Sequence, residues 1–265
     1  MSSTPDIVRQ LQREIHLLQG FKPPAAGSVE VGLGPVTAGF PNGTFPTGAI
    51  HEFLSEHTGA ATCGFIAGLV APLMAAGGAC IWVGRDRKVY PPGLKFFGLE
   101  PDRVIFVDVR KDKEVLWVLE EALKCEGLAA VVGEAPDIGL TASRRLQLAV
   151  EQSRVTGFIL REQGQRGGAQ YPVGAAQPPG TAARGLGTIA SVARWRILPL
   201  ASSVEDDLPG LGHPRWRVTL ERVRNGKGGT WDIEWREGQF HCMDKESPAA
   251  KPWSIDRGTL ARKTG

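Results

Sequence analysis

Residues 48–63 constrain the fold of this 265-residue chain more than any other stretch. They predict an apolar strand at 49–54, a short polar turn and the start of a long apolar helix. In a phosphate-binding loop of this kind, backbone N–H groups wrap the phosphates, a lysine follows the last glycine, and a hydroxyl holds the metal. Ser55 stands where a first glycine would be, and Gly59 is followed by Ala60 and later by Thr62. The pattern therefore predicts the scaffold of a nucleotide site without its lysine.

The composition narrows the class of protein. A formal net charge of +3 and a pI near 8.7 permit contact with nucleic acid without arguing for it. The four cysteines are far apart and form no C-x-x-C pair, so we expect neither a metal site nor a disulfide, and a cytoplasmic location. Charged residues interrupt the first segment, so we expect no signal peptide.

Residues 59–84 carry no charge and are long enough to span a bilayer. Pro72 and the pair Gly77-Gly78 divide this stretch into a helix at about 61–76 and a strand at 79–83. The division predicts a buried strand and helix of a soluble fold, with no membrane segment.

Residues 5–19 predict an amphipathic helix. Ile7, Leu11, Ile15 and Leu18 form one apolar stripe at helical spacing. Two alternatives stay open: the helix packs on its own domain, or it is an arm that docks on another subunit. We assign residues 1–22 to this arm and the Pro/Gly-rich residues 23–45 to a linker.

Apolar strands and helices then alternate through residues 46–242. Strands are predicted at 103–109, 128–132 and 157–160, and helices at 91–97, 112–125 and 141–154. The pattern indicates an α/β fold whose mostly parallel sheet is covered on both faces. The run 161–188, with Arg166 and Arg184, is expected to be a mobile loop, either functional or a tolerated insertion. Residues 243–265 are expected to form a flexible basic tail.

The last part of the core predicts antiparallel strands. They cover 194–198, 215–224 and 230–236, with a turn at 225–229. Trp216, Trp231 and Trp235 suit core packing, and a second interpretation is that they stack on bases beside the arginines, as in single-strand binders.

Several loosely spaced motifs, in the right order between residues 46 and 240, resemble the RecA-like fold. The segment Phe45-Pro-Thr-Gly-Ala-Ile-His-Glu-Phe is similar to the entry strand of the RecA ATPase core. Residues 80–107 resemble its second strand, short helix and third strand, and 117–134 resemble the helix and strand that carry its Walker B acid. Residues 209–218, followed by Asn225-Gly and Trp231, resemble the ImuA family of SOS mutagenesis proteins, as does Phe21-Lys-Pro.

The resemblance implies a depleted ATPase site, and hence no enzyme activity and no cofactor. Ala60 stands for the phosphate-binding lysine, and Arg85 for the acid that positions the attacking water. Gly133 stands for the Walker B aspartate, with Glu134 one position later. Glu134 and Asp86 are acids that could compensate, and another subunit could supply a missing group.

The resemblance also implies DNA-contacting loops at 134–140 and 161–188. Candidate contacts to phosphates are Arg144, Arg145, Arg166 and Arg184. The plainer interpretation of Arg144 and Arg145 is a solvated helix face.

Taken together, the resemblance implies a non-catalytic accessory protein of DNA-damage-induced translesion synthesis. Its expected partners are ImuB, a homologue of Y-family polymerases, and an error-prone DNA polymerase, with RecA and self-association as further possibilities. The alternative is a single-stranded DNA-binding module of the SOS response, and a residual RecA-type ATPase is less favoured.

Overall fold

The computed structural model describes residues 29–55, 59–85, 89–135, 138–162, 189–203 and 212–243. The predicted arm, residues 163–188 of the predicted loop and the tail after Met243 lie outside the described residues. The same holds for Ile7, Leu11, Ile15, Leu18, Arg166, Arg184 and Asp86.

Alternating helices and strands follow the predicted order. The helices are α1 (Ala60–Ala75), α2 (Asp112–Leu123) and α3 (Leu140–Ser153), with 3₁₀ helices at Gly34–Gly39, Pro91–Phe97 and Pro101–Arg103. The strands are β1 (Ile50–Ser55), β2 (Ala79–Gly84), β3 (Val104–Asp108), β4 (Leu128–Glu134), β5 (Thr156–Glu162), β6 (Ala193–Ser203), β7 (His213–Val223), β8 (Gly229–Arg236) and β9 (Gln239–Cys242).

Within the described ranges the strands form one sheet of nine, in the order β3-β2-β4-β5-β1-β6-β7-β8-β9. All pairs among strands β1 to β6 are parallel. The pairs β6 with β7, β7 with β8 and β8 with β9 are antiparallel. This confirms the predicted mostly parallel sheet with antiparallel strands at its C-terminal side. β1 lies between β5 and β6, so its residues are enclosed on both edges.

Helix α1 packs on one face of the sheet and is buried on nearly all sides. Two glycines let aromatic rings approach its backbone: a Cβ at Gly64 would lie 2.7 Å from the Phe97 ring, and one at Gly68 would lie 2.6 Å from the Phe240 ring. The helix ends before Gly77, whose φ of 122° suits only glycine. The predicted division of residues 59–84 into a helix and a strand is confirmed. No helix in the described ranges has the length and apolarity needed to cross a membrane.

Helices α2 and α3 cover the opposite face of the parallel strands. Their apolar stripes, which include Val115, Leu119, Leu146 and Val150, pack in a second core. Along α2 the buried residues are Val115, Leu119, Ala122 and Leu123, and Val118 is half-buried. Two helices on this face and α1 on the other give the three layers that a parallel sheet requires.

Residues 29–45, which the sequence assigned to a linker, pack in the first core. Val31, Leu33, Val36, Phe40 and Phe45 are all buried. Their irregular spacing carries no helical or strand period, so the sequence pattern did not indicate burial. This part of the chain is therefore a packed strap rather than a spacer.

The predicted C-terminal hairpin is confirmed, and its tryptophans settle one alternative. Trp216 and Trp235 are only 2% and 4% exposed, in the core around α1, and Trp231 is half-buried. Base stacking by Trp216 or Trp235 is therefore wrong. Strand β9 was not predicted because four residues are too few to show a period.

Candidate functional site

The carboxyl ends of the parallel strands meet at one edge of the sheet, which is where open α/β sheets bind ligands. β1 ends at Ser55 and α1 begins at Ala60, so this edge holds the predicted phosphate-binding turn. The connection through α1 passes over β5 and β4 to reach β2, while β6 lies on the other side of β1. The start of α1 is thus at a point where strand order changes direction.

The first turn of α1 contains no charged side chain. Ser55 is 3% exposed and Thr62 is fully buried, and Gly59 is buried too. The Thr62 hydroxyl has no hydrogen-bond partner in the described part of the chain, and its burial keeps it from a ligand in solution. Ala60 is exposed where a lysine would contact phosphate. Free N–H groups at a helix start attract anions, and the described residues of this turn, Ser55, Gly59 and Ala60, include no cation.

The end of β4 places its acidic side chain on the α1 face. Successive residues of a strand point to opposite faces. A Cβ at Gly133 would meet the Leu119 side chain of α2 at 2.4–2.8 Å, so this position faces away from α1. Glu134 therefore shares the α1 face, one residue beyond the position taken from the resemblance. Its carboxylate accepts a hydrogen bond of 2.9 Å from the Trp82 indole N–H.

Arg85, at the end of β2, contacts the other layer. Its guanidinium lies 3.5 Å from the Asp112 carboxylate, in the first turn of α2. An arginine cannot act as the base that positions an attacking water, because it stays protonated.

A buried ion cluster in the middle of the sheet escaped the sequence reasoning. Glu52 of β1 is fully buried, and its two oxygens accept hydrogen bonds from Arg161 of β5 at 2.6 Å and Arg194 of β6 at 2.7 Å. The one available signal was a carboxylate in a strand of a sheet that the sequence predicts to be covered on both faces. Both carboxylate oxygens are occupied and the group is closed to solvent, so it ties three strands together rather than offering a catalytic acid.

His51 is also buried and is held in one neutral tautomer. Its Nε2–H donates to the Pro46 carbonyl at 2.7 Å, while Nδ1 accepts from the Trp195 indole N–H at 3.3 Å. The Phe45 ring stacks on it at 4.3 Å. Burial lowers the pKa of His51 to about 4, against a weaker opposing effect of the Pro46 hydrogen bond. His51 therefore anchors the packed strap to β1.

The two DNA-contact candidates that the structure describes lie on α3. Arg145 pairs with Glu120 of α2 at 2.5 Å, and Arg144 is exposed. Burial raises the pKa of Glu120, but hydrogen bonds and charges from Arg145 and Lys124 outweigh it and leave that pKa lowered. Arg145 thus joins two helices.

In the described ranges no three His, Cys, Asp or Glu side chains lie close enough together to hold a metal ion. Cys63, Cys80, Cys125 and Cys242 are not disulfide-bonded, and burial raises the pKa of Cys80 to about 12.

Comparison with known proteins identifies relatives at 40% identity and, among solved structures, distant matches. No protein-family model matches the sequence. The ImuA proteins of two Caulobacter vibrioides strains, NA1000 / CB15N and ATCC 19089 / CIP 103742 / CB 15, are each 40% identical over 203 residues, which cover 75% of this chain and 79% of the relative. The crystal structure of SulA from Pseudomonas aeruginosa matches with a TM-score of 0.39 and 15% identity, over 44% of this chain and 99% of that chain, a likeness too low to carry an argument. On the strength of its similarity to the Caulobacter proteins, the chain belongs to the ImuA family.

Proposed function

We propose that this protein is a non-catalytic accessory of DNA-damage-induced mutagenesis, acting in translesion synthesis. Membership of the ImuA family is the observation that carries the proposal. In this role the protein bridges ImuB, a homologue of Y-family polymerases, and an error-prone DNA polymerase. Action on RecA is the second mode through which the same fold would influence mutagenesis.

We further propose that the fold is a RecA-like core. The support is the order of elements over the segments that resemble RecA. β1 is followed by a turn and α1, then β2, a short 3₁₀ helix and β3, then α2 and β4. These are the entry strand, second strand, short helix, third strand and fourth strand that the motifs predict.

We also propose that the protein does not catalyse phosphoryl transfer, because the groups for this reaction are replaced or engaged at the carboxyl edge of the sheet. Phosphoryl transfer needs a held metal ion and positive charge on the transferred phosphate. Here Ala60 replaces the cation, Thr62 is enclosed, and Arg85 contacts Asp112. The one acid on the α1 face of β4, Glu134, is engaged by Trp82. These contacts support a fold kept for binding partners.

The proposed contact with partners is the apolar stripe of the N-terminal arm. An amphipathic helix binds a groove through residues at helical spacing, and Ile7, Leu11, Ile15 and Leu18 supply such a set. Burial of a Leu or Ile side chain contributes about 1.5–3 kcal/mol, so replacing two of them by Asp is enough to abolish a micromolar complex.

The test is co-purification with ImuB from the same organism. Leu11→Asp combined with Ile15→Asp should lose the complex, while Gln10→Asp with Gln12→Asp adds the same charge off the stripe and should keep it. Circular dichroism checks that each variant folds. Complexes that persist with the first pair would show that the arm is not the contact. Failure of the unaltered protein to bind ImuB or the polymerase would refute the bridging role.

A further inference from the structure

The 3₁₀ helix Pro91–Phe97 presents two aromatic rings to solvent on one side. Residues three apart in a 3₁₀ helix lie directly above one another. The column that contains Leu94 and Phe97 faces the core, where Phe97 lies 5.7 Å from the Trp235 ring. The neighbouring column is Tyr90, Gly93 and Phe96, with Tyr90 74% exposed and Phe96 57% exposed. We call these three residues the aromatic stripe.

Contacts with the core hold the backbone of the aromatic stripe in place at Phe96, whose ring packs edge-on against Phe97 at 5.1 Å. The Trp235 indole N–H donates to the Phe96 carbonyl at 3.0 Å. Gly98 ends the helix with a φ of 75°, and its N–H donates to the Lys95 carbonyl at 3.0 Å. Tightly binding surfaces are built from such pre-ordered aromatic side chains, because little conformational entropy is lost when a partner arrives.

Gly93 leaves room between the two rings. A Cβ there would have one near neighbour, Cδ1 of Tyr90 at 3.5 Å. Tyr90 and Phe96 are six residues apart, which is about 12 Å along a 3₁₀ helix. A branched aliphatic side chain fits over the glycine, with an aromatic ring on each side.

We propose that the aromatic stripe binds the apolar stripe of residues 7–18 of the same chain. Twenty-eight residues precede Val29, the first that the structure describes. Successive apolar residues four apart on an α-helix lie about 6 Å from each other, so Leu11 and Ile15 together match half the length between Tyr90 and Phe96. The chain thus carries both an unfilled aromatic surface and an aliphatic segment suited to it.

The reach of the segment is sufficient. Val29 and Phe97 both pack against the core that surrounds α1. With 16 residues, α1 is about 24 Å long. Residues 19–28 span up to about 33 Å when extended. This extended length exceeds that of α1, the helix around which the core contacted by Val29 and Phe97 is built.

This contact concerns the isolated protein and does not depend on the proposed bridging role. It means that the arm is covered in the free chain and that a partner has to displace it from Tyr90 and Phe96.

Photo-crosslinking of the full-length protein tests the proposal. With p-benzoylphenylalanine in place of Phe96, irradiation should join this position to a peptide from residues 1–22 within a monomer, and Leu11→Asp with Ile15→Asp should lower the yield several-fold. The matched control carries the same probe in place of Trp117, which is 64% exposed on α2, across the sheet, and should capture no such peptide. A crosslinked dimer would show that a second copy is the occupant and would overturn the proposal. No capture, or a yield unaffected by the Asp variant, would overturn it too.

A second measurement leaves the arm unaltered. Tyr90→Ala with Phe96→Ala removes two rings that are 74% and 57% exposed, and circular dichroism checks that the loss of the Phe96 contact with Phe97 leaves the fold intact. Trypsin should then cleave after Arg9 and Arg13 several-fold faster than in the unaltered protein. An unchanged cleavage rate would contradict the proposal.

Discussion

The Glu52→Gln variant should be less stable to unfolding than a variant with an equally small change on the surface of the sheet. The change keeps the shape of the side chain and removes its charge. Arg161, only 1% exposed, then keeps its positive charge but loses the carboxylate that lies 2.6 Å from its guanidinium. Leaving one member of a buried ion pair uncompensated costs about 3–5 kcal/mol. A domain is typically stable by only about 5–15 kcal/mol, so the loss is a large fraction of the total.

Asp232→Asn is the matched control. Asp232 pairs with Arg217 at 2.8 Å through a similar geometry, but the Arg217 side chain is 50% exposed. Water screens that pair, so its loss should cost less than about 1 kcal/mol. The shift in pKa agrees in direction, because the Arg217 hydrogen bond lowers the pKa of Asp232.

Urea unfolding followed by tryptophan fluorescence measures both variants. The midpoint concentration should fall much further for Glu52→Gln than for Asp232→Asn, with similar slopes for both. Arg161→Met should lie between them, since Glu52 would keep Arg194 at 2.7 Å. If the free energies of unfolding of Glu52→Gln and Asp232→Asn differ by less than about 1 kcal/mol, the buried cluster does not stabilise the fold as its burial implies.

Three further predictions use other residues. The pKa of His51 is lowered to about 4 from 6.5, so the unfolded chain binds the proton more tightly than the folded chain. Stability should therefore be constant above pH 6.5 and fall by up to about 3 kcal/mol as the pH drops towards 4. The urea midpoint should fall between pH 7 and pH 5 in the unaltered protein and much less in the His51→Gln variant. Gly133→Val should destabilise by about 1–3 kcal/mol, because its side chain would collide with Leu119, whereas Gly127→Ala meets nothing within 4 Å and should be near neutral in the same assay. Calorimetric titration with ATP and Mg²⁺ should give no heat of binding up to about millimolar nucleotide, because Ala60 supplies no cation. Clear micromolar binding would refute the proposal that the nucleotide site at this sheet edge is depleted.

The sequence predicted the elements that carry a strong period or clear breaks. The strand, turn and helix around Gly59 were predicted because an apolar run changes period there, and the hairpin around Asn225 because its turn residues are specific. The candidate site was predicted as a set of missing groups, with Ala60, Arg85 and Gly133 at the positions of the lysine and the two acids. What the turn residues do in three dimensions, such as the burial of Thr62, depends on packing that no local pattern records.

Other features were missed because they depend on which strands are neighbours. Glu52 meets Arg161 and Arg194 only because β1 lies between β5 and β6, and any two of the three residues are more than 30 positions apart along the chain. The face of the sheet on which Glu134 lies depends on the register of β4. The resemblance placed the acid at Gly133, one residue earlier, and a shift of one residue moves a side chain to the opposite face. Non-local pairing, rather than weak local propensity, set the limit of the prediction.

The aromatic rings that rest on α1 have an evolutionary consequence. A Cβ at position 68 would lie 2.6 Å from the Phe240 ring and 2.9 Å from the Trp235 ring, so position 68 cannot change alone. We expect positions 68 and 240 to vary together among relatives, with a smaller side chain at 240 wherever 68 is not glycine. Helix α1 and strand β9 would then be inherited as one unit, although 163 residues separate their ends in this chain.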